Sequence, residues 1–197
     1  MSGVALVLLV VYGVVGLLFR MLVQLRLTGS TGFRGLSSGS PAELAGGLLF
    51  VAAIALLVLS ALADDATIGA LDHDGVRVAG LVLAVAGILG TAGAQLAMGR
   101  AWRIGVDASE DTSLVTGGPF AIVRNPIYTA MFPFFIGIAL MVGNALGLAA
   151  VACVFAALEL QTRMAEEPHL RRAHGEEYES YARRVGRFVP GVGRLRS

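Results

Sequence analysis

The chain has 197 residues, of which 56% are hydrophobic and only 15% are charged, and its formal net charge is +1. Its mean hydropathy is +0.75. These values exclude an ordinary soluble domain and predict an integral membrane protein. The apolar runs are long and rich in Leu, Val, Ala and Gly, which favours spanning helices over a barrel of short alternating strands. The single cysteine, Cys153, excludes an intrachain disulfide and a cysteine-based metal cluster.

Three long apolar segments occupy the first half of the chain. Residues 4–27 lack a basic start and a small-residue cleavage site, so we expect a retained span rather than a signal peptide. A Gly/Ser-rich loop at 28–40 leads to a second span at 41–63, and an acidic loop at 64–75 leads to a third at 76–98. Small residues every four positions in the third span predict a close helix neighbour, although an Ala/Gly-rich composition explains them equally well: Ala86, Gly90 and Ala94.

The second half begins with the longest interruption between spans, residues 99–125. The apolar runs 126–142 and 145–161 follow, each about 17 residues long, which is the lower limit for crossing a bilayer. The turn residues Gly143 and Asn144 separate them, so a helical hairpin is expected. The polar tail 162–197 carries apolar residues at helical spacing, which predicts a short amphipathic helix: Tyr178, Tyr181 and Val185.

The predicted fold is therefore all-α, a polytopic membrane bundle of about five transmembrane helices with a C-terminal helical hairpin and an amphipathic cytoplasmic tail. We expect one integral membrane domain over residues 1–197, with three N-terminal spans in 1–98. Pro168 is expected to bend the tail where it begins.

The arginines predict the orientation in the membrane. They are concentrated around the 28–40 loop, the 99–125 loop and the tail, whereas Arg77 is the arginine near the acidic loop and the hairpin turn. By the positive-inside rule the N-terminus lies outside and the C-terminus is cytoplasmic. All basic residues are arginine, which is typical of a GC-rich genome. We expect a bacterial inner (plasma) membrane.

The first polar block runs from residue 117 to residue 128. Gly and Pro at 117–119 predict a turn, and Pro126 can start the next helix. Arg124 and Asn125 come directly before that start, where backbone N–H groups favour an anion and an arginine can add a bidentate donor. The alternative is that Arg124 only anchors the helix end at the interface.

The second polar block begins with the pair Glu166 and Glu167 at the end of the fifth span. These carboxylates could bind ribose hydroxyls or an ammonium group, or they could form a solvated acidic turn. His169 and His174 lack a third partner of the kind a metal site requires, so no metal is expected. Few polar residues lie within the spans, which argues against a transporter.

Together the blocks resemble the isoprenylcysteine carboxyl methyltransferase family and its phospholipid methyltransferase relatives. The resemblance covers residues 95–190, and the segment 101–106 also looks like bacterial members. It rests on the order and spacing of Leu114, Val115, Thr116, Gly118, Pro119, Phe120, Val123, Arg124, Asn125, Pro126 and Tyr128, followed after a hydrophobic hairpin by Glu166, Glu167, Leu170, His174, Gly175, Tyr178, Tyr181, Val185, Arg187, Phe188 and Pro190.

This resemblance implies a membrane enzyme that uses S-adenosylmethionine, with residues 99–190 as its catalytic core. By similarity, Arg124 and Glu167 lie closest to the chemistry. The implied cofactor-binding residues are Val115, Gly118, Pro119, Phe120, Asn125, Pro126, Tyr128, Glu166, His174 and Tyr178. Eukaryotic members usually have histidine where this chain has Asn125. Because asparagine does not titrate, no general-base role carries over to that position.

The expected activity is methyl transfer at the cytoplasmic interface to a lipophilic or small acceptor with a carboxylate, thiol or amine. Membrane lipid is an expected partner and nucleic acid is not. The sequence leaves the acceptor and the oligomeric state open. Two alternatives are an NADPH-dependent membrane reductase of the sterol type and a noncatalytic membrane scaffold or transport subunit.

Overall fold

The computed structural model describes residues 1–32, 41–63, 67–102 and 113–195. Six long helices occur in these ranges and confirm the predicted all-α bundle. In chain order they are α1 Ser2–Thr28, α2 Pro41–Leu62, α3 Asp74–Met98, α4 Pro126–Val142, α5 Ala145–Gln161 and α6 Glu167–Arg184. Short 3-10 turns lie at Gly69–Leu71, Gly99–Ala101 and Gly118–Ala121.

Within the described ranges, four continuous helices are long and apolar enough to cross a membrane: Ser2–Thr28, Pro41–Leu62, Asp74–Ala101 and Ala145–Arg184. Helix α4 is a shorter apolar helix of 17 residues. At 1.5 Å per residue it extends about 26 Å, which approaches the roughly 30 Å thickness of a hydrocarbon core. Five apolar helices are therefore available to span the bilayer, as the sequence predicts.

The predicted α4–α5 hairpin is confirmed, and a buried polar cluster fixes its turn. Gly143 ends α4 with a left-handed φ of 73°. The Asn144 side chain then caps α5, because its Oδ1 accepts from the Gly147 backbone at 3.1 Å. The same side chain exchanges hydrogen bonds with Ser60 of α2, at 2.7 Å and 2.9 Å. These bonds join α2 to the hairpin at one end of the bundle.

Helices α3 and α4 approach most closely, because glycines face each other's backbones. A Cβ at Gly87 would lie 2.5 Å from the Phe134 nitrogen, and one at Gly137 would lie 2.4 Å from the Gly80 oxygen. Helices α3 and α4 run antiparallel, and α2 packs against α5 in the same way. The core therefore forms between two antiparallel pairs of helices. Its largest fully buried apolar side chains are Leu57, Phe134, Phe135, Ile138, Met141 and Val154.

Helix α5 continues directly into α6, through a π-helical stretch at Thr162–Glu166. Pro168 therefore does not end the helix, and the expected bend at this residue stays a prediction. Pro168 lies in the first turn of α6, where the π-helical residues precede it and its missing N–H is tolerated. The helical path is interrupted about two turns later, at Gly175, which has φ 50° and ψ −126°.

Candidate active site

The two polar blocks meet through a short backbone pairing. Val123 forms an isolated parallel bridge with Gly186. The Arg124 nitrogen donates to the Gly186 oxygen at 2.8 Å, and the Asn125 nitrogen donates to the Arg187 oxygen at 3.1 Å. The segment before α4 is thereby fixed against the chain that follows α6. The paired residues are some sixty positions apart in the sequence.

Arg124 uses its guanidinium to fasten the tail to the bundle. Its Nη1 donates to the backbone oxygens of Ala182 at 2.9 Å and Val185 at 2.7 Å, which lie at the C-terminal end of α6. Its Nη2 donates to Glu167 at 2.7 Å and to the Gly193 oxygen at 3.1 Å. Cations are favourable at a helix C-terminus, so Arg124 caps α6 as well as pairing with its first residue.

Glu167 lies between two arginines. Its Oε1 accepts from Arg124 Nη2 and from Arg187 Nε, both at 2.7 Å, and its Oε2 accepts from Arg187 Nη2 at 2.9 Å. Burial raises the pKa of the Glu167 carboxyl, but the bonds from Arg187 and Arg124 outweigh burial and leave the pKa below its ordinary value. The bond to Glu167 in turn raises the pKa of Arg187. We call these three side chains the Arg124–Glu167–Arg187 network.

A second contact links the start of α4 to the beginning of α6. The Tyr128 hydroxyl donates to Oε1 of Glu166. Tyr128 and Glu166 are both half-buried, whereas Arg124 is buried. The adjacent glutamates therefore differ in role, since Glu167 faces the arginines and Glu166 faces α4.

Two tyrosines of α6 connect it to the turn before α4. The Tyr181 hydroxyl donates to the Phe120 oxygen at 2.6 Å. Tyr178 is buried beside Tyr181, and Leu114 packs against this pair. Burial raises the pKa of each tyrosine to about 12, so both hydroxyls stay protonated at neutral pH.

The site includes groups of the types that S-adenosylmethionine would contact. Arg124 Nε and Thr162 Oγ1 are buried with no hydrogen-bond partner in the described part of the chain. A Cβ at Gly118 or Gly175 would meet no atom within 4 Å, so both backbones border open space. Carboxylates suit ribose hydroxyls and an ammonium group, backbone N–H groups suit a carboxylate, and aromatic rings suit an adenine.

Most of the predicted site residues are brought together. Gly118, Pro119 and Phe120 form the 3-10 turn that Tyr181 contacts. Pro126 starts α4, and the Asn125 side chain donates to the Arg187 oxygen at 3.3 Å.

Two predicted residues have weaker connections. Val115 is half-buried and follows Leu114, which packs against α6. His174 is half-buried just before Gly175, and it makes no side-chain hydrogen bond to any residue that the structure describes. No group of three or more His, Cys, Asp or Glu side chains that could hold a metal was found within residues 1–32, 41–63, 67–102 and 113–195.

Arg187 is the site residue that the sequence did not single out. It belongs to the motif that carries the family resemblance, but its spacing gives no sign that it reaches back twenty positions to Glu167. Residues 103–106 of the segment that looks like bacterial members lie outside the described residues, as do Asp64 and Asp65 of the acidic loop.

Comparison with known proteins decides the family. The family model for phospholipid methyltransferases matches residues 76–177, more than half of the chain. The chain belongs to the phospholipid methyltransferase family. The matched range includes nearly all of α3, the α4–α5 hairpin and the first part of α6, and therefore contains Arg124, Tyr128, Glu166 and Glu167. The apolar helices agree with an integral membrane protein.

Two curated relatives match more than half of the chain. The nickel-cobalt-cadmium resistance protein NccN of Alcaligenes xylosoxydans xylosoxydans is 32% identical over 116 residues, 58% of this chain and 53% of the relative. The cobalt-zinc-cadmium resistance protein CzcN of Cupriavidus metallidurans is 31% identical over 119 residues, 59% of this chain and 53% of the relative. The chain spans about half the length of the curated relatives that it matches.

A solved structure shows the same fold. It is the eukaryotic intramembrane Ras methyltransferase ICMT, the isoprenylcysteine carboxyl methyltransferase, determined without a monobody. The TM-score is 0.58 at 22% sequence identity, and the match covers 94% of this chain and 67% of the other. The likeness extends over nearly the whole chain and concerns the fold alone.

Proposed function

We propose that this protein transfers a methyl group from S-adenosylmethionine to a lipophilic or small acceptor at the cytoplasmic interface of the membrane. The observation that carries the proposal is the convergence of the Tyr128–Glu166 pair with the Arg124–Glu167–Arg187 network at one end of an apolar bundle. An enzyme that brings a water-soluble cofactor to a membrane-borne acceptor needs its polar groups at the end of the bundle, where the membrane meets water.

In the proposed site, Glu166 binds the polar groups of the cofactor and the turn at Gly118 accommodates it closely. S-adenosylmethionine supplies a methyl group on a positively charged sulfur, and that charge disappears as the carbon–sulfur bond breaks and the bond to the acceptor forms. Glu166 can accept from ribose hydroxyls or from the ammonium group. The open face of Gly118 lets a ligand approach the backbone without meeting a side chain.

Arg124 and Glu167 act in this proposal as positioning residues. Their polar atoms bind each other, Arg187 and backbone oxygens, so they hold α6 and the tail against the start of α4. Alignment of the reactants and exclusion of water are the main needs of a methyl transfer between preformed groups. A rigid enclosure satisfies both needs.

The acceptor is proposed to carry a carboxylate, a thiol or an amine. An ionised carboxylate or thiolate requires no general base, which agrees with Asn125 at the position where eukaryotic members usually have histidine. Asn125 instead donates to the Arg187 oxygen and supports the pairing of the two polar blocks.

Ligand binding tests the cofactor. The full chain, purified in detergent, is titrated with S-adenosylhomocysteine and separately with NADPH, and binding is followed by calorimetry. We expect saturable binding of S-adenosylhomocysteine only. Absence of that binding, or tight binding of NADPH, would overturn the methyltransferase proposal in favour of a scaffold or of the reductase alternative.

A matched pair of variants tests the role of Glu166. Glu166→Gln should weaken S-adenosylhomocysteine binding by about tenfold or more, because a charge-assisted hydrogen bond is lost. Glu177→Gln is the control, since Glu177 is an exposed residue of the same helix. Equal affinities for the two variants would show that Glu166 does not contact the cofactor.

A further inference from the structure

A line of polar groups runs between α1 and the C-terminal end of α3, apart from the candidate active site. Gln95 Nε2 donates to the Gly16 oxygen at 2.9 Å, and Arg20 Nε donates back to the Gln95 oxygen at 3.3 Å. One turn further, Gln24 Nε2 donates to the Arg100 oxygen at 2.8 Å. We call Gly16, Arg20, Gln24, Gln95 and Trp102 the α1–α3 polar seam.

Arg20 is the charged group of this seam, and its surroundings satisfy only part of it. The side chain is 1% exposed. Its Nε and Nη2 bind the backbone oxygens of Gln95 and Gly99, so they cap the end of α3. Nη1 is buried without a hydrogen-bond partner, and no carboxylate in the described ranges forms an ion pair with this guanidinium. A buried charge without a counter-ion is costly.

Gln24 adds an unsatisfied acceptor to the same seam. It is 4% exposed, and its Oε1 has no hydrogen-bond partner. Because Gln24 lies four residues after Arg20, both side chains project from the same face of α1. One ligand with an oxyanion and a neighbouring hydroxyl group would satisfy both atoms, since an arginine donates to the first and an amide oxygen accepts from the second.

Trp102 places this pair at the level of lipid headgroups. The Arg20 guanidinium carbon lies 4.6 Å from the centroid of the Trp102 ring. Tryptophan is enriched at the boundary between the hydrocarbon and water. Helix α1 is also the least enclosed span, with Leu18, Phe19 and Leu22 exposed near Arg20. The seam therefore adjoins the lipid.

We propose that the α1–α3 polar seam binds the headgroup of an anionic phospholipid, with a phosphate oxygen on Arg20 Nη1 and a headgroup hydroxyl on Gln24 Oε1. Gly32 and Trp102 cover the pair, because a Cβ at Gly32 would lie 3.1 Å from both Gln24 and Trp102. Headgroup entry displaces this cover. The proposal does not depend on methyl transfer, and lipid binding is measured without a cofactor.

Lipid binding by variants of α1 tests the proposal. The full chain is reconstituted in phosphatidylcholine nanodiscs with and without phosphatidylglycerol, and retained lipid is counted by native mass spectrometry alongside the unfolding temperature. We expect the wild type to retain phosphatidylglycerol and to unfold at a higher temperature in its presence. Arg20→Gln should weaken retention by about tenfold or more. Arg26→Gln, an exposed arginine of the same helix, should not. Equal retention by wild type and Arg20→Gln, or equal loss in both variants, would overturn the proposal.

Two further experiments complete the test. One asks whether the anion belongs to a lipid or is free phosphate, and the other covers the case in which Arg20→Gln does not fold. Inorganic phosphate is added to phosphatidylcholine nanodiscs, and stabilisation equal to that by phosphatidylglycerol would overturn a lipid ligand. Gln24→Leu keeps the Arg20 charge. It should bind phosphatidylglycerol less tightly than wild type but should bind phosphatidylmethanol, whose headgroup lacks a hydroxyl, equally well. If Arg20→Gln does not fold, an unchanged phosphatidylglycerol affinity in Gln24→Leu overturns the proposal.

Discussion

Arg124 and Glu167 form a buried ion pair at 2.7 Å between the segment before α4 and the first residue of α6. The pair is not isolated, because Arg187 adds two more bonds to the same carboxylate. It therefore fastens together three parts of the chain that are distant in sequence, and the architecture of the candidate site depends on it.

Replacement of Arg124 should destabilise the protein as well as reduce its activity. Arg124→Ala leaves the oxygens of Ala182, Val185 and Gly193 without their donor and removes one counter-ion of Glu167. Breaking a buried pair from one side typically costs about 3–5 kcal/mol. We expect a lower unfolding temperature in detergent and weaker S-adenosylhomocysteine binding.

The controls for this prediction are Arg124→Lys and Arg172→Ala. Lysine keeps the charge but cannot reach four acceptors in the plane of a guanidinium, so it should rescue little. Arg172 is an exposed arginine of α6, and its loss should change stability by less than about 0.5 kcal/mol. Full stability of Arg124→Lys would show that charge alone matters at this position.

The stability of the network should depend on pH through Glu167. The pKa of this carboxyl is lower in the folded protein than its ordinary value, so its stabilising contribution is fully present above about pH 4.3. The contribution is lost as the pH falls through the lowered pKa, because the folded state must then take up a proton that the unfolded state already holds.

The measurement is the unfolding temperature from about pH 7 to about pH 3. Glu167→Gln removes the titrating group, so its unfolding temperature should fall less on acidification than that of the wild type. At neutral pH this variant should already be less stable than the wild type. Glu177→Gln changes an exposed glutamate of α6, and this variant should follow the wild-type curve. Parallel curves for wild type and Glu167→Gln would contradict the assignment.

The fold could be predicted well from the sequence because long apolar runs leave few alternatives. The span limits agree with the structure within a few residues at α2 and α4, where prolines mark the starts. The continuous α5–α6 helix could not be foreseen, since a π-helical stretch has no compositional sign and Pro168 suggests a bend. The small residues at Ala86, Gly90 and Ala94 were a partial guide, because the tightest contacts with α4 are made by Gly80 and Gly87.

The candidate site could be predicted in its membership but not in its geometry. The order of the motifs indicated that Arg124 and Glu167 belong to one site. The sequence could not indicate that Arg124 also binds three backbone oxygens, because those bonds depend on how the tail turns after Val185. Arg187 was missed for the same reason. Orphaned atoms such as Arg20 Nη1 are likewise visible only once the helices are packed.

The orientation of the chain in the membrane is proposed from its arginines and can be tested with reporters. The ends of α1, α3 and α5 and the start of α4 share one end of the bundle, which we propose is cytoplasmic. A fluorescent protein that folds only in the cytoplasm should be bright when fused after residue 195, whereas a fusion at the turn before α5 should be dark. The reverse pattern would place the candidate site outside.

The close contact between α3 and α4 should make Gly87 intolerant of even one added methyl group. A Cβ there would lie 2.5 Å from the Phe134 nitrogen and 2.6 Å from its Cβ, and neither atom can move without shifting α4. Overpacking of this kind costs about 1–3 kcal/mol or more. Since α4 carries Tyr128 toward Glu166, Gly87→Ala should also weaken S-adenosylhomocysteine binding.

Gly93→Ala is the control on the same helix, because a Cβ there meets no atom within 4 Å. Unfolding temperatures of the two variants in one detergent decide the matter, and equal values would mean that α3 and α4 are not packed this tightly.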